Sequence, residues 1–380
     1  MRLPILAVAA ALLTASAAPA RAAEPIKVGA ILSVTGPAAF LGSPEARTIQ
    51  MLADDLNAKG GILGHKIELI IKDSGGSPEK AVSFAKQLME EDKVLAIIGP
   101  STSGETMQIK GLCEKGQMLM LSCAAAEVIV NPVAKWVFKT PQKDSDAVLK
   151  IFQHMKKTGV TKIGVLASNT GFGQAGKEQI EKLAPANGIQ IAASETYDKA
   201  ATDLTAEVTK MKAAGVQAIL NWSIEPAQAI VIKNARQIGL TIPIYQSHGF
   251  GNIQYAKAAG AAAEGVIFPA GRLLVADVLP ASNPQKKLLE AYKHEYEAKY
   301  KEDVSTFGGH GYDAFLLLTD AIRKAHSVDK NKVRDALEHL TGVVGTAGIF
   351  HMSPTDHNGL GIDAFELLTV KDGRFAVLAH

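Results

Sequence analysis

The sequence predicts an α/β protein of two doubly wound lobes built on parallel sheets. Short β-rich runs alternate with amphipathic helical segments over most of the chain. The alternation comes as two series of similar size, and 380 residues suit two domains better than one. In the first series, the apolar run 27–32 is followed by Ala46, Ile49, Ala53 and Leu56 at helical spacing. Gly60-Gly61 stops that helix. Strand 66–72, helix 78–91, strand 94–98, a helix after Ser103 and strand 118–122 follow. Strands this apolar, joined by helical crossovers, fit a parallel sheet covered on both faces. The second series runs helix 147–158, strand 162–167, helix 174–184, strand 190–193, helix 204–214, strand 217–221, helix 227–238 and strand 242–246. Helices 284–300, 312–326 and 330–340 come next, then strands at 349–350 and within 363–378. Asp372-Gly373 between two apolar runs marks a hairpin. Strands placed after so many helices imply that the chain passes between the lobes more than once.

The N-terminus begins with one cation, Arg2, continues with the apolar run 5–18 and ends in Ala20-Arg21-Ala22. That order is a secretory signal peptide, with cleavage expected after Ala22. The apolar run is shorter than the roughly 20 residues a membrane span needs. No cysteine lies near the cleavage point to carry a lipid. Losing residues 1–22 removes Arg2 and Arg21 from the 40 basic residues and none of the 38 acidic ones, leaving a formally neutral chain. A neutral surface gives nucleic acid or an anionic membrane no electrostatic grip. Cys113 and Cys123 are expected at opposite ends of a strand roughly 15 Å long. A disulfide requires Cα atoms within about 7 Å, so both are expected free.

Open parallel sheets bind ligands beyond the carboxyl ends of their strands. The turns there are 33–42, 100–105, 122–127, 168–173, 222–226 and 247–252. In Gly99-Pro100-Ser101-Thr102-Ser103-Gly104-Glu105-Thr106, hydroxyls precede a helix start, which suits a carboxylate. Thr102 and Glu105 also have the spacing of a capping box, so ligand contact and plain capping both stand. His248 ends an apolar strand, where it either binds an anion or satisfies its own turn. Phe40, Leu41, Phe172, Trp222, Ile224 and Phe307 are candidate pocket walls or core, Trp222 the more ambiguous.

Signs of catalysis are few. Gly29 begins no dinucleotide fingerprint, and neither a phosphate-binding P-loop nor a G-x-S-x-G elbow occurs. No histidines have zinc-ligand spacing, and His351 and His357 read as surface loop residues. The carboxylates read as solvated helix-face charges. Neither catalytic residues, nor a metal, nor a cofactor is expected.

Ile26-Lys27-Val28-Gly29, Ser33-Val34-Thr35-Gly36-Pro37, Asn57-Ala58-Lys59-Gly60-Gly61-Ile62 and Ala263-Glu264-Gly265 together resemble the periplasmic binding proteins of branched-chain amino acid type ABC transporters. The resemblance covers essentially the whole chain after residue 22. It implies the type I fold, with two lobes, three crossovers near 140–143, 268–272 and 351–358, and a ligand enclosed between the lobes. Lobe 1 would then comprise residues 23–141 and 270–352, and lobe 2 residues 142–269 and 353–380. A periplasmic monomer that delivers a small ligand to a membrane permease is implied as well.

The resemblance also assigns residues. Ser103 takes the place of the serine that holds the ligand carboxylate, with backbone groups of Ala124 and Ala126 beside it. Ala126 replaces a threonine, and Ile224 replaces a tyrosine on the amino-group side. His248 replaces the acid that receives the ammonium. Leu41, Phe172 and Phe307 fall on the side-chain pocket. The carboxylate clamp is kept and the ammonium clamp is lost. Burying an ammonium with no acceptor costs several kcal/mol. The expected ligand is therefore an apolar carboxylate, favoured as an aromatic acid of the benzoate or hydroxycinnamate kind. An aliphatic amino acid is the alternative if Glu225 or Asp144 supplies the acceptor, and a sensor or enzyme on the same fold is a distant third.

Overall fold

A computed structural model describes residues 24–379; the expected signal peptide and its expected cleavage after Ala22 lie outside the described residues. The first βα series comprises β1 (Ile26–Leu32), α1 (Ala39–Ala58), β2 (Ile67–Asp73), α2 (Pro78–Glu90), β3 (Ala96–Ile98), α3 (Ser103–Lys115), β4 (Leu119–Ser122) and β5 (Val137–Lys139). Its strands form one parallel sheet in the order β2-β1-β3-β4-β5. The second comprises α4 (Asp144–Thr158), β6 (Lys162–Ser168), α5 (Gly171–Leu183), β7 (Gln190–Tyr197), α6 (Thr205–Ala213), β8 (Ala218–Trp222), α7 (Ala227–Gln237), β9 (Ile244–Gln246), α8 (Ile253–Ala259) and β10 (Ile267–Ala270). The chain then runs through α9 (Lys286–Tyr300), α10 (Thr306–Ala325), α11 (Lys330–Glu338), β11 (Thr341–Val344) and β12 (Ile349–His351), and ends in β13 (Glu366–Lys371) and β14 (Arg374–Val377).

The second sheet has the order β14-β13-β10-β9-β8-β6-β7. Its β6 to β10 pair parallel, whereas β13 and β14 add antiparallel at one edge. Asp372 and Gly373, both at positive φ, make the tight turn between them. Helices α10 and α11 share a core with the first sheet, so the chain leaves the second sheet after β10 and returns to it at β13. With the link from β5 to α4, that makes three crossings between two doubly wound sheets, the type I arrangement. Leu360 and Ala364, late in the last crossing, still pack in the first core.

Several details differ from the sequence expectations. The three-residue β5 escapes notice because it is too short to show periodicity. Helix α10 starts at Thr306, six residues before the expected 312, because Gly308, Gly309 and Gly311 depress its apparent propensity. Those glycines are needed for packing: a Cβ on Gly308 would lie 2.6 Å from Tyr292 Oη, and one on Gly311 3.1 Å from the Glu45 carbonyl oxygen. Phe307 therefore sits in a helix rather than in a strand-end turn. His357 is no surface residue. It is buried, stacks on Phe138 at 3.9 Å, and bonds through Nδ1 to the Val137 carbonyl and through Nε2 to Glu338. Nor are all the carboxylates solvated, since Glu45, Glu105, Asp144 and Asp313 have no exposed surface. Cys113 and Cys123 are free thiols buried in separate cores. Among the described residues no helix is long and apolar enough to cross a membrane.

Candidate functional site

The strand ends of the two sheets face one another across a cleft with two connected chambers. The outer chamber holds about 320 Å³ and the inner about 20 Å³, space for roughly one water. Leu41, Ser103, Phe172 and Ile224 line both and form the waist between them. Leu41 comes from the first turn of α1, Ser103 and Phe172 from the starts of α3 and α5, and Ile224 from the turn after β8. Phe307 and His248 line the inner chamber.

Thr102 caps α3, its Oγ1 accepting the Glu105 N–H at 3.3 Å, and it also lines the outer chamber. That arrangement leaves Ser103 free of the capping role. Ser103 Oγ accepts the Ala126 N–H at 3.2 Å and keeps its own proton to donate. The two backbone donors expected for the ligand are both occupied: Ala126 by Ser103, and Ala124 by Ser122 Oγ at 3.1 Å. Ala124 still lines the inner chamber through its surface, whereas Ala126 lines neither. Trp222 is fully buried and reaches neither chamber. It backs the wall instead, with ring centroids 5.9 Å from Phe172 and 5.6 Å from His248.

His248 is a neutral imidazole. Burial holds its pKa well below the usual histidine range, helped by Lys139 and His310. Among the described residues neither ring nitrogen has a hydrogen-bond partner, and Nε2 stands 3.8 Å from Asp144 Oδ1. Asp144, offered above as an alternative acceptor, lies behind His248 and lines neither chamber. Burial raises its pKa while Lys139 opposes the rise. Lys139 is itself buried, which lowers its pKa, yet its ammonium donates to three carbonyls, those of Ala125, Pro141 and Gln142, at 2.8–3.0 Å.

The outer chamber combines both signs of charge. The N-termini of α2, α3 and α5 reach it through Pro78, Ser103 and Gly171, and Lys199 adds a cation. Such converging helix ends favour an anion. Two acids also line it, which corrects the expectation of a wall without them. Glu105 Oε2 accepts the hydroxyls of Ser33 and Thr102 at 3.0 and 2.6 Å. Glu225 folds back on its own turn, Oε2 accepting Ser223 Oγ at 2.7 Å and the Ile224 N–H at 3.2 Å.

Sequence reasoning passes over three features here. His310, from α10, lines the inner chamber, and nothing in its local sequence marks it. Lys139 belongs to the strand that was too short to see. Gly171-Phe172-Gly173-Gln174-Ala175-Gly176 has the glycine spacing of a dinucleotide fingerprint at a strand–helix junction, away from the first strand where such a run was sought. Here its glycines serve packing. A Cβ on Gly173 would meet the Ser168 carbonyl oxygen at 2.1 Å, and one on Gly176 the Trp222 ring at 2.0 Å. A Cβ on Gly171 would lie 3.1 Å from the Gly104 nitrogen of the opposite lobe.

The family model for periplasmic binding proteins matches residues 25–374. The leucine-, isoleucine-, valine-, threonine- and alanine-binding protein of Pseudomonas aeruginosa is 28% identical over 323 residues, 84% of each chain. An extracellular ligand-binding receptor from Rhodopseudomonas palustris HaA2 superposes with a TM-score of 0.88 at 29% identity, covering 94% of this chain and 100% of that one. An ABC transporter solute-binding protein from R. palustris, solved with benzoate, shares the fold at a TM-score of 0.81 and 20% identity, over 93% of this chain and 96% of that one. With two crossed, doubly wound sheets around one cleft and a family model spanning nearly every described residue, the chain belongs to the periplasmic binding proteins, in the branch of the branched-chain amino acid type.

Proposed function

We propose that the protein is a periplasmic receptor that encloses a small aromatic carboxylate and delivers it to the permease of an ABC importer, without chemical change. One observation carries the choice of ligand. Where the family's ammonium acceptor would stand, this chain has a buried neutral imidazole, His248, set among the rings of Phe172, Trp222 and Phe365. An ammonium placed there would lose its hydration and find only Asp144 nearby, whose charged form burial disfavours. The apolar side chains of Leu41, Phe172 and Ile224 at the waist, with Phe307 beyond it, would pack on a planar ring. Its carboxylate would meet the Ser103 hydroxyl and the ends of α3 and α5. A ligand that touches both lobes stabilises their closed arrangement, and the permease then reads that arrangement. The receptor acts as a monomer.

A second reading has its own support. Glu225 lines the outer chamber, and an aliphatic amino acid could seat its ammonium there. The fold decides nothing, because relatives bind amino acids and a structural neighbour holds benzoate. Calorimetric titration of the wild type and of Glu225→Gln with benzoate and with leucine separates the two. Benzoate is expected to bind both proteins, equally well or more tightly in Glu225→Gln, and leucine neither. Tight leucine binding that Glu225→Gln abolishes establishes the amino acid reading and removes the aromatic one.

A further inference from the structure

The inner chamber holds a second histidine. His310 lies one helical turn after Phe307 on α10, and its backbone carbonyl accepts Thr140 Oγ1 at 3.0 Å, which ties it to the first crossing. Its ring is buried, and Nδ1 has no hydrogen-bond partner among the described residues. Burial and the Lys139 charge lower its pKa to about 3, so it is neutral at working pH. His248, from the other sheet's strand end, lines the same chamber with both nitrogens unpartnered. Two neutral imidazoles from opposite sides thus line one small space, and three of their four ring nitrogens have no hydrogen-bond partner among the described residues.

The chemistry of that space is restrictive. A neutral imidazole offers one donor and one acceptor. A hydroxyl both donates and accepts, so it can pair with both rings whenever at least one of them turns its N–H toward it. A carboxylate only accepts, is larger than the about 20 Å³ available, and would lie near Asp144. A bare C–H pairs with neither ring. The outer chamber has the opposite character, with helix N-termini and Lys199 suited to the carboxylate. The waist at Leu41, Phe172 and Ile224 joins the chambers, so a ring lying through it points its two ends into different environments.

We propose that His248 and His310 form a hydroxyl-reading subsite, and that the ligand is an aromatic acid bearing a hydroxyl on the ring opposite its carboxylate. This rests on the aromatic-acid reading above and narrows it. His310 is the residue that sets the preference for the hydroxylated acid over the bare one.

The test compares 4-hydroxybenzoate with benzoate by calorimetry on the full mature chain and on His310→Phe and His310→Gln. A buried polar group left unpaired loses about tenfold or more in affinity. The wild type is expected to favour 4-hydroxybenzoate by at least about tenfold. His310→Phe is expected to erase the preference, and His310→Gln to restore part of it by supplying a donor and an acceptor again. A merely structural role for His310 would weaken both acids alike and leave their ratio unchanged, which overturns the proposal. Equal binding of both acids by the wild type also overturns it while leaving the aromatic-acid reading intact. Failure of both acids to bind the wild type overturns that underlying reading too.

Discussion

Replacing Lys139 with methionine is expected to lower folding stability by about 3–5 kcal/mol, the range for breaking a buried charge network by deleting one partner. The side chain has no exposed surface, and its ammonium holds the carbonyls of Ala125, Pro141 and Gln142. Methionine matches the length but leaves the Ala125 and Gln142 carbonyls without their donor, while Pro141 keeps the Asn358 side-chain amide at 2.8 Å. It also removes the charge that holds down the pKa of Asp144, already raised by burial. The double variant with Asp144→Asn is therefore expected to lose less than the sum of the two single changes. Urea titration followed by tryptophan fluorescence reads the effect. A loss below about 1 kcal/mol would show that Lys139 is no more than a surface-grade charge.

Gly171→Leu is expected to weaken ligand binding by roughly 5- to 150-fold while leaving stability nearly unchanged. Here Gly171 and Gly104 bring the two lobes into backbone contact, with an added Cβ falling 3.1 and 3.2 Å from the Gly104 nitrogen and Cα. Overpacking of this kind costs about 1–3 kcal/mol. The cost falls only on the closed arrangement, because separated lobes let the side chain point into solvent. A penalty confined to the competent state lowers apparent affinity by the same factor. Gly104→Ala serves as the control, since a Cβ there meets nothing within 4 Å. Unchanged affinity in Gly171→Leu would mean that ligand capture does not require this approach of the lobes.

The fold was largely legible because each parallel strand is a short apolar run bounded by turn residues, and each covering helix has one apolar face. Departures occur where tertiary demands override local preference. The α10 glycines lower helix propensity so that α1 and α9 can approach, and this displaced Phe307 from its expected turn. Val137–Lys139 is too short to show a period. At the site, Leu41, Ser103, Phe172, Ile224, His248 and Phe307 do converge, since all sit at strand ends or helix starts facing the cleft. Which partner a group takes was not legible. The Ala124 and Ala126 amides look free in sequence but are claimed by Ser122 and Ser103. Burial of His248, which decides its charge, depends on Phe365 and Trp222, far away along the chain. His310 entered for the same reason: only the packing of α10 brings it beside His248.

A crystal structure determined with benzoate and leucine present at equal concentration addresses the ligand class most directly. The account predicts a planar ring between Phe172 and Phe307, with its carboxylate at the Ser103 hydroxyl and no cation against Glu225. Leucine in the cleft with its ammonium seated on the Glu225 carboxylate would contradict it.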